Sequence, residues 1–140
     1  MTRRFVVMMV AGALLVGACG GGDDAATTTV AAEPRLEQVT ADAAEGLLAS
    51  PPDGLVVLDV RTPGEFAEGH IAGADNIDFY AANFPDLLAE LDPNAPYFVY
   101  CRSGNRSGTT VGLMRDLGFT QVYELGGGIL TWVQVGLPLE

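Results

Sequence analysis

A single thiol heads the most chemically suggestive segment of this chain. The apolar run Tyr97-Phe98-Val99-Tyr100 leads directly into Cys101. The short loop Arg102-Ser103-Gly104-Asn105-Arg106 follows, and a helical pattern opens at Ser107. A sulfur so placed lies among backbone N–H groups at a helix N-terminus, where the N–H ring and the helix dipole both favour an anion. Such surroundings lower a thiol pKa and make a nucleophile that needs no separate base. Arg102 and Arg106 bring positive charge to the same mouth. Gly104 permits a backbone angle that a side chain opposes. The chemistry predicted is covalent catalysis on a small anion, with Cys101 as nucleophile and residues 102–106 as its binding loop.

The remaining charge makes that mouth stand out. The chain has 140 residues, enough for one domain, with 7 basic residues, all Arg, against 18 Asp and Glu. Two of the Arg, at positions 3 and 4, lie in a segment expected to be cleaved. Five Arg then face 18 acidic residues, a net charge of −13. Nucleic acid is excluded as a partner, because phosphate binding needs a basic face. Two of those five Arg flank Cys101, so a local basic mouth on an acidic surface points to a small anionic substrate.

The other cysteine has a different setting. Met1 to Arg4 is short and basic, Phe5 to Val16 is apolar, and Val16-Gly17-Ala18-Cys19 follows. This is the layout of an export signal with a small-residue cleavage site. The apolar run is shorter than the roughly 20 residues of a transmembrane helix. The signal resembles the lipobox of bacterial lipoproteins, with Val where Leu is commoner. It implies a signal peptide over residues 1–18, lipid on Cys19, a flexible Gly, Asp, Ala and Thr-rich linker over 19–34, and an extracytoplasmic, membrane-anchored domain over 35–140. With Cys19 lipidated, Cys101 is left as a free thiol in an oxidising compartment, which reads as function.

The elements that must position Cys101 alternate along residues 35–140. Leu36–Val39 is a short strand, and Thr40 caps a helix through Ala49 with Ala43, Ala44, Leu47 and Leu48 on one face. Pro51-Pro52-Asp53-Gly54 turns into the apolar run Leu55–Val60, a strand buried on both faces. Thr62-Pro63-Gly64-Glu65 starts a short helix, with Thr as N-cap, Pro at the first position and Glu at the third. Ala74–Ile77 is a strand, and Phe79–Leu91 a helix with Leu87, Leu88 and Leu91 inward. Tyr97–Tyr100 is the strand that delivers Cys101. Ser107–Leu117 is the helix after the loop, ended by Gly118. Gln121–Leu125 is the last strand, and Gly126-Gly127-Gly128 turns into a helix over Ile129–Val135. The pattern predicts an α/β domain with a mostly parallel sheet, with Asp59 and Cys101 at the carboxyl ends of strands, where such sheets bind ligands.

Three motifs in order carry a family resemblance. They are Leu58-Asp59-Val60-Arg61-Thr62-Pro63-Gly64-Glu65-Phe66, continuing to Gly69-His70-Ile71-Ala72-Gly73-Ala74; Cys101-Arg102-Ser103-Gly104-Asn105-Arg106-Ser107; and Gly126-Gly127-Gly128 with Trp132, Gly136 and Pro138. From Leu36 to Pro138 the chain resembles a single-domain rhodanese, with Ala72 where the family often has Pro. The resemblance implies a three-layer α/β fold and a sulfurtransferase. In that reaction Cys101 takes sulfur from thiosulfate or another small anionic donor, becomes a persulfide, and passes the sulfur to a thiol acceptor without a cofactor. Related phosphatases and arsenate reductases have seven residues in this loop; Cys101 to Arg106 is six, which suits a sulfane sulfur better. A sulfur-carrier module without turnover is the other reading.

Arg102 is assigned to recruiting the anionic donor. Arg106 either does the same or pairs with Asp59 and holds the loop in shape. Asp59 and Arg61 are supporting residues, and Glu65 starts a helix and pairs structurally. His70, the only His, occupies a structural turn in the family, and one His with one free Cys is too few ligands for a metal. Trp132 is expected in the core or a pocket wall.

Overall fold

A computed structural model describes residues 33–140. The expectations for the signal segment 1–18, for Cys19 and for the linker up to residue 32 lie outside the described residues. Five strands, β1 (Arg35–Val39), β2 (Val56–Asp59), β3 (Ala74–Asn76), β4 (Pro96–Tyr100) and β5 (Gln121–Leu125), form one sheet in the order β1-β5-β4-β2-β3. Every pairing is parallel, so the expected mostly parallel sheet is parallel throughout. The strand that delivers Cys101, β4, is central, and all five of its residues are buried. A strand covered on both faces must be apolar along its whole length, as Pro-Tyr-Phe-Val-Tyr is.

Among the described residues, five helices lie between and after the strands: α1 (Ala41–Ala49), α2 (Pro63–Ala67), α3 (Phe84–Ala89), α4 (Asn105–Asp116) and α5 (Gly128–Gln134). The period-2 alternation of the strands sorts the core into two layers. Tyr97, Val99 and Cys101 pack with Leu58, Val60 and Val122 against Phe84 and Leu88 of α3 and Met114 of α4. Phe98 and Tyr100 pack with Tyr123 and Leu125 on the other face, against Ala41 and Ala44 of α1 and Ile129 and Trp132 of α5. The result is the expected three-layer α/β sandwich.

Several local expectations hold. Thr40 caps α1 by accepting from the Ala43 N–H at 3.3 Å. Thr62 and Glu65 form a reciprocal capping box on α2, with Pro63 in its first turn. Gly118, at φ +84°, follows the end of α4. Trp132 is buried and donates its indole N–H to the Pro138 carbonyl at 2.9 Å.

Others need correction. Ala43 is exposed, and Ala41 takes its place beside Ala44 on the buried face. The helix expected over Phe79–Leu91 shrinks to Phe84–Ala89. Pro85 has no N–H and its ring crowds the carbonyl four residues back, so a continuous helix cannot pass through it. Leu88 is inward, while Leu87 and Leu91 are half-buried. α4 begins at Asn105 rather than Ser107, so the last two loop positions form the first turn of the helix.

The Gly126–Gly128 turn presses the start of α5 onto the Cys101 loop. The Ile129 N–H donates to the Cys101 carbonyl at 2.8 Å, and the Leu130 N–H to the Arg102 carbonyl at 3.2 Å. Gly128 has φ +63°, and a Cβ there would stand 2.5 Å from the Cys101 and Arg102 carbonyl oxygens. No flexible side chain is available to yield, because the obstacles are backbone. Gly128→Ala combines left-handed strain with a backbone clash and is expected to destabilise the protein by at least about 2 kcal/mol. A urea midpoint equal to that of the unaltered chain would contradict this account of the turn.

Candidate active site

The site assembles where β4 ends. Cys101 leaves the strand on the face shared with α4 and is 1 % exposed. Gly104, at φ +97°, reverses the loop and serves as the N-cap residue of α4. A side chain there would meet left-handed strain, and its Cβ would stand 3.4 Å from the Gly127 nitrogen. The reversal turns the Gly104 N–H back onto the Cys101 sulfur at 3.1 Å, and the Ser107 hydroxyl lies 3.4 Å from the same atom. Burial pushes the thiol pKa up. The Ser107 hydroxyl and the backbone N–H groups of Ser107, Ser103 and Gly104 outweigh it and hold the pKa below the ordinary thiol range. These donors favour the anionic form of the sulfur where it has lost water.

The other loop residues divide into two groups. Arg102, Ser103 and Asn105 have exposed side chains. No carboxylate among the described residues pairs with Arg102, so its guanidinium is available to an incoming anion. Arg106 is half-buried and committed to a partner. Its Nη1 and Nη2 donate to Glu65 Oε2 and Oε1, each at 2.7 Å, and its guanidinium carbon stands 5.6 Å from the ring centre of exposed Tyr80. This bidentate geometry is a strong form of ion pair. Arg106 therefore does not pair with Asp59, and its fork is engaged rather than open to a donor. The expected pairing with Asp59 is replaced by one with Glu65, and it is through Glu65 that Arg106 holds the loop in shape. Glu65 caps α2 and ties it to the start of α4, extending the pairing role expected of it.

Asp59 lies on the opposite face of the sheet. In parallel register Asp59 sits beside Tyr100, and Leu58 beside Val99. Leu58 packs in the α3–α4 layer with Cys101, so Asp59 is turned to the other side. There it is fully buried. It accepts from the Arg61 N–H at 2.8 Å and from Arg61 Nη2 at 2.6 Å, and Arg61 also donates to the Gly69 carbonyl at 2.8 Å. Asn76 donates to the Asp59 and Arg61 carbonyls at 3.0 and 2.9 Å. The pair braces the β2–α2 connection and so supports the site from behind. His70 stacks on Phe66 with ring centres 3.8 Å apart, and its backbone exchanges two hydrogen bonds with Glu140. None of these contacts involves the Cys101 loop.

One side chain at the site was not anticipated. Glu124, the residue before the end of β5, is 7 % exposed and accepts from the Ser107 hydroxyl at 2.7 Å. Gln38 on β1 donates to its other oxygen at 3.0 Å. The signal in the sequence was a lone acidic residue between Tyr123 and Leu125 in a strand that is apolar after Gln121. Periodicity alone could not show that it shares a face with Cys101.

The chain's likenesses agree with this geometry. Residues 40–135 match the rhodanese-like domain family. A thiosulfate sulfurtransferase GlpE of Stutzerimonas stutzeri is 37 % identical over 79 residues, which cover 56 % of this chain and 71 % of that protein. A thiosulfate sulfurtransferase GlpE of Pseudomonas aeruginosa is 39 % identical over 83 residues, covering 59 % and 74 %. Among solved structures, a rhodanese-related protein from Thermoplasma volcanium superposes with a TM-score of 0.65 at 29 % identity, covering 74 % of this chain and 97 % of that one.

The Arg106 guanidinium holds the Glu65 carboxyl down at about 2, against an ordinary value of 4.5. A folded-state pKa below the unfolded one contributes stability that is present above pH 4.5 and lost as pH falls towards 2. Acid unfolding of the Glu65→Gln variant should therefore be less steep across that window. Equal pH dependence of stability in the two proteins would show that the pair contributes nothing.

Proposed function

The chain belongs to the rhodanese-like domain family, and from that premise we propose that it is a sulfurtransferase working through a persulfide on Cys101. The observation that carries the reading is the 3.1 Å donation of the Gly104 N–H to the buried Cys101 sulfur, inside a loop of six residues from Cys101 to Arg106. A small N–H cradle at a helix start suits one terminal sulfur atom bearing negative charge. The likeness to thiosulfate sulfurtransferases supports thiosulfate, or another small anion with a sulfane sulfur, as donor.

In the first half-reaction the Cys101 thiolate attacks the outer sulfur of thiosulfate. The new bond joins Cys101 sulfur to that atom, the donor's own S–S bond breaks, and sulfite leaves with the electron pair. The persulfide carries the negative charge into the N–H cradle. In the second, an acceptor thiolate attacks the terminal sulfur, the persulfide bond breaks, and Cys101 departs as the thiolate. This two-step displacement predicts ping-pong kinetics. Arg102, exposed and uncommitted, recruits the anionic donor. Arg106 holds the loop through Glu65. The lipobox-like segment ending at Cys19 supports a membrane-tethered, extracytoplasmic setting for this reaction.

Incubating the full chain with thiosulfate should raise its intact mass by about 32 Da, one sulfur on the nucleophilic Cys. Cyanide should reverse the gain, and Cys101→Ser should abolish it. A gain surviving in Cys101→Ser would overturn the mechanism. A Cys101 that alkylates readily yet gains no mass would favour a carrier that accepts sulfur only from a partner protein. Arg102→Ala should raise KM for thiosulfate roughly tenfold with little change in kcat, as expected when one charged binding contact is lost.

A further inference from the structure

The Ser107 hydroxyl has one proton and three polar neighbours. Glu124 Oε1 lies at 2.7 Å, the Gly104 carbonyl at 3.2 Å and the Cys101 sulfur at 3.4 Å. The carboxylate bond is the shortest, as a charge-assisted O–H bond should be. With the proton directed at Glu124, Ser107 offers the sulfur only a lone pair. That arrangement suits a thiol, which can donate its S–H to Ser107; the Ser107 donation that favours the thiolate needs the hydroxyl proton turned to the sulfur instead. For Ser107 to donate to a thiolate, Glu124 must hold a proton of its own.

Glu124 is built in for such a role. It is 7 % exposed, Ser107 is fully buried, and the second carboxylate oxygen is fixed by Gln38 at 3.0 Å. The carboxylate lies against the first turns of α4, its Oε1 3.9 and 3.6 Å from where Cβ atoms would stand at Gly104 and Gly108. Two anions in this buried space, a thiolate and a carboxylate bridged by one hydroxyl, repel each other. Neutralising one of them as the other forms removes that cost.

We propose that Glu124 is a positioning residue that shares one proton with Cys101 through Ser107, taking it up when the thiolate forms. The Cys101 S–H bond breaks and its electron pair stays on sulfur. That proton joins the Ser107 oxygen as the Ser107 proton passes to Glu124 Oε1. The buried charge is conserved, moving from carboxylate to sulfur, and each hydrogen bond of the chain reverses direction. Three other groups bear on this proton. Arg106 of α4 faces the sulfur but is paired with Glu65, Arg102 is exposed, and β1 contributes only the neutral Gln38.

A shared proton has a signature that structural support alone lacks. Two coupled groups titrate in two macroscopic steps. The inference rests on Cys101 as the nucleophile of the proposed reaction, but alkylation reads it without any sulfur donor. Absence of persulfide would therefore defeat the sulfurtransferase reading and leave this test intact. The full chain would be treated with iodoacetamide from about pH 4 to about pH 10, spanning ordinary carboxylate and thiol values. The modification rate at Cys101 would be followed by peptide mass spectrometry, which separates it from Cys19. The unaltered protein should show two rises in rate, the first leading to a plateau below the final one. Glu124→Gln and Ser107→Ala should each lose the low-pH rise and keep a single step, while Glu124→Asp should retain two. Ser107→Ala leaves the carboxylate in place, so it tests the bridge even if Glu124→Gln does not fold. A single step in the unaltered protein, or two steps in a folded Glu124→Gln or Ser107→Ala variant, would overturn the proposal.

Discussion

A negative charge on a sulfur with 1 % exposure can exist only where hydrogen-bond donors replace the water it has lost. That requirement shapes the rest of the site. The Gly104 N–H reaches the sulfur because the loop passes through φ +97°, and the loop can turn that tightly because Gly104 has no side chain. The loop stays in that shape because its carbonyls at Cys101 and Arg102 are held by the first N–H groups of α5. That contact in turn needs Gly128, where any side chain would meet backbone. Two glycine positions far apart in sequence therefore serve one anion.

Charge is partitioned around the same centre. The two short ion pairs, at 2.6 and 2.7 Å, use one Arg expected to pair and one that could have bound an anion. Arg106 is held by Glu65 and Arg61 by Asp59, on opposite faces of the sheet. Both are enclosed enough that losing one partner would strand a charge, so their role is to keep α2, α4 and the end of β2 in place. This leaves Arg102 as the open cation of the loop, on a chain whose net charge is −11. A strongly acidic surface repels anions in general. Against that surface Arg102 gives the mouth beside Cys101 a local positive charge.

Much of this was legible from local signals. The Cys-loop-helix order, the Thr62–Glu65 capping box, the Thr40 cap and the Gln121–Leu125 strand depend on neighbours within a few residues, and sequence spacing reports such neighbours directly. The misreadings have equally physical causes. Apolar residues on both sides of Pro85 suggested one long helix, but the missing N–H and the ring confine it to Phe84–Ala89. Asn105 and Arg106 looked like loop, yet a left-handed Gly104 lets the helix begin at once.

Residue types and their order by themselves determined an α/β domain, a Cys101 at the start of a helix, and a resemblance to the rhodaneses spanning nearly all of it. Partnership was decided only in three dimensions. Whether Arg106 met Asp59 or Glu65 depended on strand parity and register, which turn Asp59 away from Cys101 by one residue's alternation. Whether Glu124 had any bearing on the sulfur depended on β5 lying beside β4 with its side chain on the α4 face. These contacts join residues 41 and 17 positions apart in the chain. No local propensity records them, because they arise from the order in which parallel strands are laid side by side.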